Sequence, residues 1–292
     1  MEYATIKELV SLAEAAETSI WKIVLKVEAE EEEISAAEVR KLMQENLKVM
    51  KEAVEYGRRN SIQTGGGLVG EEALNLEKYL ASAAEAEQNN IYNKIITYAL
   101  ATAEVNAGMG KIVAGPTAGA SGIVPAVVLA VGEENNLSDQ KLVEALFTAS
   151  GLGYVVSRKA TLSGAAGGCQ AECGVGAAMA AGAAVELRGG SPKMAADAFA
   201  LALKNLLGLV CDPVAGLVEV PCVKRNGFAA VHAYTASTMA LAGIESVIPA
   251  DEVIMAMTEI GDQMPSCLKE TSRGGLAVTP TALKIKEDLH RS

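Results

Sequence analysis

Apolar residues recur three and four apart along most of this chain. After Ser35-Ala36-Ala37-Glu38, the side chains of Val39, Leu42, Met43, Leu47, Met50 and Val54 fall at helical spacing, with charged residues between them. The serine and the glutamate three residues on form a capping box, in which each side chain satisfies an amide of the first turn. The pattern predicts further helices over 4–16, 71–88, 91–109, 138–151, 173–188, 192–209, 227–243 and 250–263. Leu137-Ser138-Asp139 and Gly190-Ser191-Pro192 supply start signals for two of them. Alternation with a period of two is scarce. Its best instance, Ile20–Val27, is the strand candidate, and it has no obvious pairing partner nearby. The expected fold class is all-α, a multi-helix globular domain over 1–292 with a helical lobe over 1–105 at its start.

The polar positions change character near residue 106. Before it the chain is charged, and the Glu run at 28–33 reads as a solvated face. After it Gly, Ala and Ser dominate, punctuated by loops at Gly115–Gly122, Ser163–Cys169, Cys211–Gly216 and Thr271–Gly275. Small residues let helices and loops approach a common centre, as a buried site requires. The 292 residues are 50% apolar, with 36 acidic against 25 basic side chains and a net charge of −11. That balance argues against nucleic acid, whose phosphates need a basic surface. The longest apolar runs, near Ile123–Val131 and Val175–Val185, are about half of the ~20 residues of a membrane span and read as closely packed helices. The first 20 residues read as an acidic amphipathic helix rather than a leader, so a soluble, cytoplasmic protein is expected.

Few residues are left for chemistry. None of the glycine loops fits a Walker pattern, and Gly174-Val175-Gly176 lacks the rest of a dinucleotide fingerprint. Of the two histidines, His232 lies among alanines and reads as a core or interface residue. His290, near the C-terminus, is expected to be disordered. No Gly-x-Ser-x-Gly elbow is present, and Lys159 reads as a helix-end charge. The five cysteines are an odd number, which fits a reducing compartment where thiols bind metal or react. Cys169, Cys211 and Cys222, 42 and then 11 residues apart, stand in turns bounded by Gly or Pro, whereas Cys173 and Cys267 read as packing residues. Three thiolates with an open position suit an iron–sulfur cluster with one iron free for substrate. They also suit zinc.

The motifs around these cysteines are specific. Gly168-Cys169-Gln170, Cys211-Asp212-Pro213-Val214-Ala215-Gly216, Pro221-Cys222 with Arg225-Asn226, and Glu270–Ala277 together resemble the iron–sulfur-dependent L-serine dehydratases. So do Gly115-Pro116-Thr117 with Ala120-Ser121-Gly122, and Ser61 with Thr64-Gly65-Gly66. The likeness spans about residues 60–280, and the separate α subunit of the two-chain form is the nearer one. It implies an all-helical catalytic domain, a [4Fe–4S] cluster on Cys169, Cys211 and Cys222, and conversion of L-serine to pyruvate and ammonia. Because the matching region begins almost at once, it also implies a separate β chain and a hetero-oligomer. Two departures stand out. Some members end in a cysteine that reaches the site, whereas this chain ends Arg291-Ser292, and Ala118 stands where single-chain members have asparagine.

On that resemblance Arg273 is the expected fork for the substrate carboxylate, and Thr64, Thr117, Ser121 and Asn226 are the expected polar contacts. The base that removes the Cα proton is not evident in this chain and is expected from the partner. Two further readings remain: a cluster enzyme acting on L-cysteine or L-threonine, and a non-catalytic scaffold holding a metal.

Overall fold

The computed structural model describes residues 2–291. A reciprocal Thr5/Glu8 capping box starts α1 (Ile6–Ala15), and the Ser35/Glu38 box starts α3 (Ala36–Arg59) as its spacing predicts. Between them lies α2 (Ile20–Glu31), a helix where the strand candidate Ile20–Val27 was expected. Ile20, Trp21, Ile23, Val24, Leu25 and Val27 are buried, while Lys22 and Lys26, four apart, are exposed. That is a helical period. With no neighbouring strand, a helix is also the conformation that satisfies its own backbone hydrogen bonds, so β-branched propensity gives way.

The chain continues through α4 (Glu72–Ser82), α5 (Glu85–Gln88), α6 (Ile91–Ala107), α7 (Ile123–Glu134) and α8 (Asp139–Lys159). The helix predicted over 71–88 breaks where Ala83 and Ala84 turn extended. The short α9 (Gly164–Gly167) and a π-helical turn at Gln170–Gly174 lead into α10 (Val175–Leu187). Then follow α11 (Pro192–Asn205), α12 (Cys222–Leu241), α13 (Ala250–Gln263) and α14 (Pro280–Arg291). Among the described residues there is no strand, only an isolated bridge between Cys211 and Lys269. The fold is all-α. His290, expected to be disordered, lies in the last turn of α14.

At the centre runs α10, apolar on every side, with Glu186 its one residue that is not buried. A helix without a polar face must be surrounded, and α7, α8, α11 and α12 pack around it. Gly182 makes the approach of α8 feasible, since a Cβ there would stand 2.3 Å from Leu152 Cδ1. One buried apolar cluster runs from Tyr3 and Ile6 to Ile254 and Met257, so the first helices share the core of the later ones. Asp251 of α13 joins the ends of the chain, accepting from the amides of Ile6 and Lys7 at 3.0 Å each, with Lys159 Nζ 3.7 Å away. Among the described residues no helix is long and apolar enough to cross a membrane.

Candidate active site

Three sequence-distant segments bring Cys169, Cys211 and Cys222 together, each through its own anchor. Gly168 precedes Cys169 at φ +78°, and a Cβ there would stand 2.8 Å from Met264 Sδ, so the turn needs glycine. Gln170, fully buried, fixes the next residue. Its Nε2 donates to the carbonyls of Gly167 and Met257, both at 2.9 Å, and its Oε1 accepts from the Gly208 amide at 2.9 Å. The Cys169 turn is thereby tied to the segment that enters Cys211.

Around Cys211 the 268–276 loop closes. The Cys211 amide donates to Leu268 O at 2.9 Å, and the Glu270 amide donates to Cys211 O at 2.7 Å. Asp212 accepts from Arg225 Nη2 at 2.9 Å and from the Leu276 amide at 2.8 Å. Ser272 Oγ donates to Pro213 O at 2.7 Å.

Cys222 is the first residue of α12, a turn earlier than the predicted start at 227, so it stands on a helix rather than in a loop. Just before it, Glu219 is buried and accepts from Thr64 Oγ1 at 3.0 Å and from the amides of Gly66 and Leu68 at 2.6 and 2.9 Å. This carboxylate clamps the Thr64-Gly65-Gly66 loop onto the Cys222 segment.

The expected polar contacts divide into two kinds. Asn226 Oδ1 accepts from the Gly122 amide at 2.9 Å, and its Nδ2 donates to Gly119 O at 2.8 Å and Cys222 O at 2.9 Å. The Thr64 hydroxyl is engaged by Glu219 and by Val69 O. Asn226 therefore ties the Gly119–Gly122 loop to α12, and Thr64 ties its loop to the segment that precedes that helix. Among the described residues Ser121 Oγ and Thr117 Oγ1 are buried and make no aligned hydrogen bond, although Thr117 lies close enough to Glu172 to oppose part of the rise that burial causes there. Arg273 is exposed at the rim. Arg225 is the more buried cation, held by Asp212 and by Val210 O.

The electrostatics follow the burial. Cys169 is drawn below the usual thiol range by a hydrogen bond from Cys173, against the opposing effect of burial, with help from Arg225. Burial, and then the charge of Cys169, push Cys222 up to about 12 and Cys211 higher still. Each sulfur thus feels the others, and burial favours the neutral thiol at Cys211 and Cys222. Burial and the charge of Glu270 raise Glu172. Among the described residues, no three His, Cys, Asp or Glu side chains close on a single-ion position.

His232 sits away from this chemistry. Its Nε2–H donates to Ala202 O at 2.9 Å and its Nδ1 faces Asn205 Nδ2 at 3.4 Å, which holds α12 to α11 and fixes the tautomer. Glu172, Glu219, Gln170 and Asp212 went unassigned in the sequence. A signal existed for two of them: Glu172 and Glu219 are lone charges between small or apolar neighbours, Ala171 and Cys173 or Val218 and Val220.

Comparison with known proteins points the same way as the motifs. The family model for the serine dehydratase alpha chain matches residues 15–277. The chain is 46% identical over 287 residues to the probable L-serine dehydratase, alpha chain, of Bacillus subtilis (strain 168), covering 98% of this chain and 95% of that one. It is 39% identical over 284 residues to the L-serine dehydratase, alpha chain, of Peptoniphilus asaccharolyticus, covering 97% of each. It is also 39% identical to the L-serine dehydratase of Streptomyces coelicolor, where the match covers 94% of this chain and 61% of the other. With a match over nearly its whole length, on a helical fold that gathers those motifs, this chain belongs to the serine dehydratase alpha chain family.

Proposed function

We propose that this chain is the catalytic α chain of a two-chain L-serine dehydratase, which converts L-serine to pyruvate and ammonia. The observation that carries the reading is the convergence of two buried thiols and one half-buried thiol from distant segments, with two hydroxyls of the Gly115–Gly122 loop that make no aligned hydrogen bond among the described residues. The donor set fits a [4Fe–4S] cluster, because such clusters favour thiolates, and Cys211 and Cys222, pushed up by burial, ionise readily beside a bound cation. Cys169, Cys211 and Cys222 would hold three of its irons. With one iron lacking a protein ligand, the bound cluster supplies Lewis acidity toward the hydroxyl that must leave Cβ.

The residues of this chain do the rest by holding the substrate in place. Ser121 and Thr117 offer hydroxyls with free hydrogen-bonding capacity, so the substrate completes what the fold leaves open. Asn226, Thr64 and Glu219 act one step back, keeping the Gly119–Gly122 and Thr64–Leu68 loops against the Cys222 helix. Arg273, exposed on the Thr271–Gly275 loop, is free to reach a carboxylate from the rim. The acceptor of the Cα proton comes from the partner chain. His232, the interior histidine, has both ring nitrogens turned to α11. The relatives' designation as alpha chains supports a second, β chain as that partner.

The test is anaerobic purification, iron and sulfide analysis, and turnover of L-serine, L-threonine and L-cysteine with and without the β chain. About four irons and four sulfides per chain, with serine preferred, is the expected result. Stoichiometric zinc, or full turnover by this chain alone, would remove respectively the cluster and the partner-borne base.

A further inference from the structure

Glu172 is a carboxylate in the site without a cation of its own. It stands on the π-helical turn between Cys169 and Cys173. Wide turns of this kind recur at functional sites because they re-aim side chains. Two glycines leave room around it. A Cβ on Gly164 would stand 2.6 Å from Glu172 Oε2 and 3.0 Å from Cys211 Sγ, and one on Gly119 would stand 3.7 Å from Glu172 Oε1. The carboxylate therefore lies beside the Cys211 sulfur, between the Ser163 and Gly115 loops.

Among the described residues no lysine, arginine or histidine pairs with it. The charged group that reaches it is Glu270, another carboxylate, which is held at φ +60° with its amide bonded to Cys211 O. Arg225 is committed to Asp212 and Val210 O. The neutral neighbour of Glu172 is Thr117, whose buried hydroxyl lacks an aligned partner. A carboxylate in a half-buried pocket, touched by the Gly164 amide and Thr117 but by no cation among the described residues, is a position suited to a positively charged donor.

We infer that Glu172 receives the α-ammonium group of the substrate, with Thr117 Oγ1 as a second acceptor, and thereby selects α-amino acids over α-hydroxy acids. Glu270 adds its negative field at the same place. A site built to bind a charged donor rejects the analogue that lacks it, since the carboxylate is then left buried and unpaired. The inference rests on the serine dehydratase reading and deepens it by naming what reads the amino group.

The experiment compares wild type, Glu172→Gln and Glu172→Asp, each with its β chain and purified anaerobically. Iron content and circular dichroism come first, then kcat and KM for L-serine and the inhibition constant of L-glycerate, the α-hydroxy analogue of serine. In Glu172→Gln the KM for serine should rise roughly 10- to 100-fold, the range for losing a charged hydrogen bond, with kcat changed far less. Inhibition by L-glycerate should stay the same or tighten, and Glu172→Asp should recover part of the loss. A fall in kcat at constant KM would overturn the inference, because Glu172 would then move a proton. So would parallel weakening of serine and glycerate, or loss of iron in both variants. Wild-type kinetics in Glu172→Gln would remove this inference alone, whereas a wild-type enzyme inert toward serine would remove the underlying reading.

Discussion

Asn226, in the second turn of α12, and Ser121, in the loop it braces, should respond in opposite ways to truncation. Asn226→Ala would leave the Gly122 amide and the carbonyls of Gly119 and Cys222 without their partner in a buried place. Urea unfolding should show a loss of about 1–3 kcal/mol. Ser121→Ala removes a buried hydroxyl that has no partner, so its unfolding midpoint should hold or rise while KM for serine increases several-fold. The cysteines divide in the same manner. Cys222→Ala should lose iron and activity together, whereas Cys267→Ala should keep full iron. Retention of a full cluster by Cys222→Ala would exclude it as a ligand. The identities of these residues were legible in the sequence, because polar side chains in a Gly- and Ala-rich stretch stand out. Their roles were not, because a hydroxyl that binds and one that braces differ only in what lies opposite. Thr64 and Ser121 illustrate this: Glu219, 155 residues along the chain from Thr64, takes up one hydroxyl, and among the described residues nothing takes up the other.

At the scale of elements, glycines decide how closely helices cross. Gly57 of α3 meets α6 where a Cβ would stand 2.3 Å from Ala101 O, a backbone atom that cannot swing aside. Gly57→Ala should therefore destabilise the fold by about 1–3 kcal/mol in spite of alanine's better helix propensity, as read by thermal or urea unfolding. An unchanged midpoint would mean that α3 and α6 separate easily. Most helices were legible from spacing and caps, and the Ser35/Glu38 box and the Ser191-Pro192 start fall where the sequence places them. Two failures have clear physical causes. Four of the six buried residues of α2, Ile20, Ile23, Val24 and Val27, are β-branched, yet its exposed lysines four apart carried the helical period. Helix α14 buries little beyond Ala282, so no apolar stripe announced it. The early start of α12 was hidden for another reason. Its first turn, Cys222–Arg225, is held by groups outside the helix: Glu219 just before it, Asp212 and Val210 O.

For the molecule as a whole, a pair of carboxylates, Glu104 buried and Glu72 half-buried, links stability to pH. Burial and the neighbouring Glu72 push Glu104 up to about 8, although the amides of Gly70, Glu72 and Ala73 donate to it. Glu72, opposed by burial, is drawn down to about 2 by its hydrogen bonds to Glu104 and Lys224. Unfolded, both titrate near ~4.3. Between about pH 4 and 8 the folded state keeps a proton on Glu104 that the unfolded chain has released, so stability falls as pH rises and levels off above 8. Below about pH 4 the sign reverses. The unfolded chain then binds a proton that folded Glu72 does not, and stability falls as pH drops toward 2. Glu104→Gln has no such proton to lose, so its unfolding free energy should decline less from pH 5 to 8 than that of wild type. An identical slope would mean that Glu104 is ionised throughout. None of this was visible in a sequence where Glu72 and Glu104 are 32 residues apart. By itself the sequence determined the helical class, the three cysteines and the motifs around them, because periodicity, caps and short motifs are local and survive without a third dimension. Only the tertiary structure decided which polar groups are satisfied, which carboxylates share a proton, and which of them faces the thiols without a cation. Those properties depend on burial and on partners far along the chain, and no local pattern encodes them.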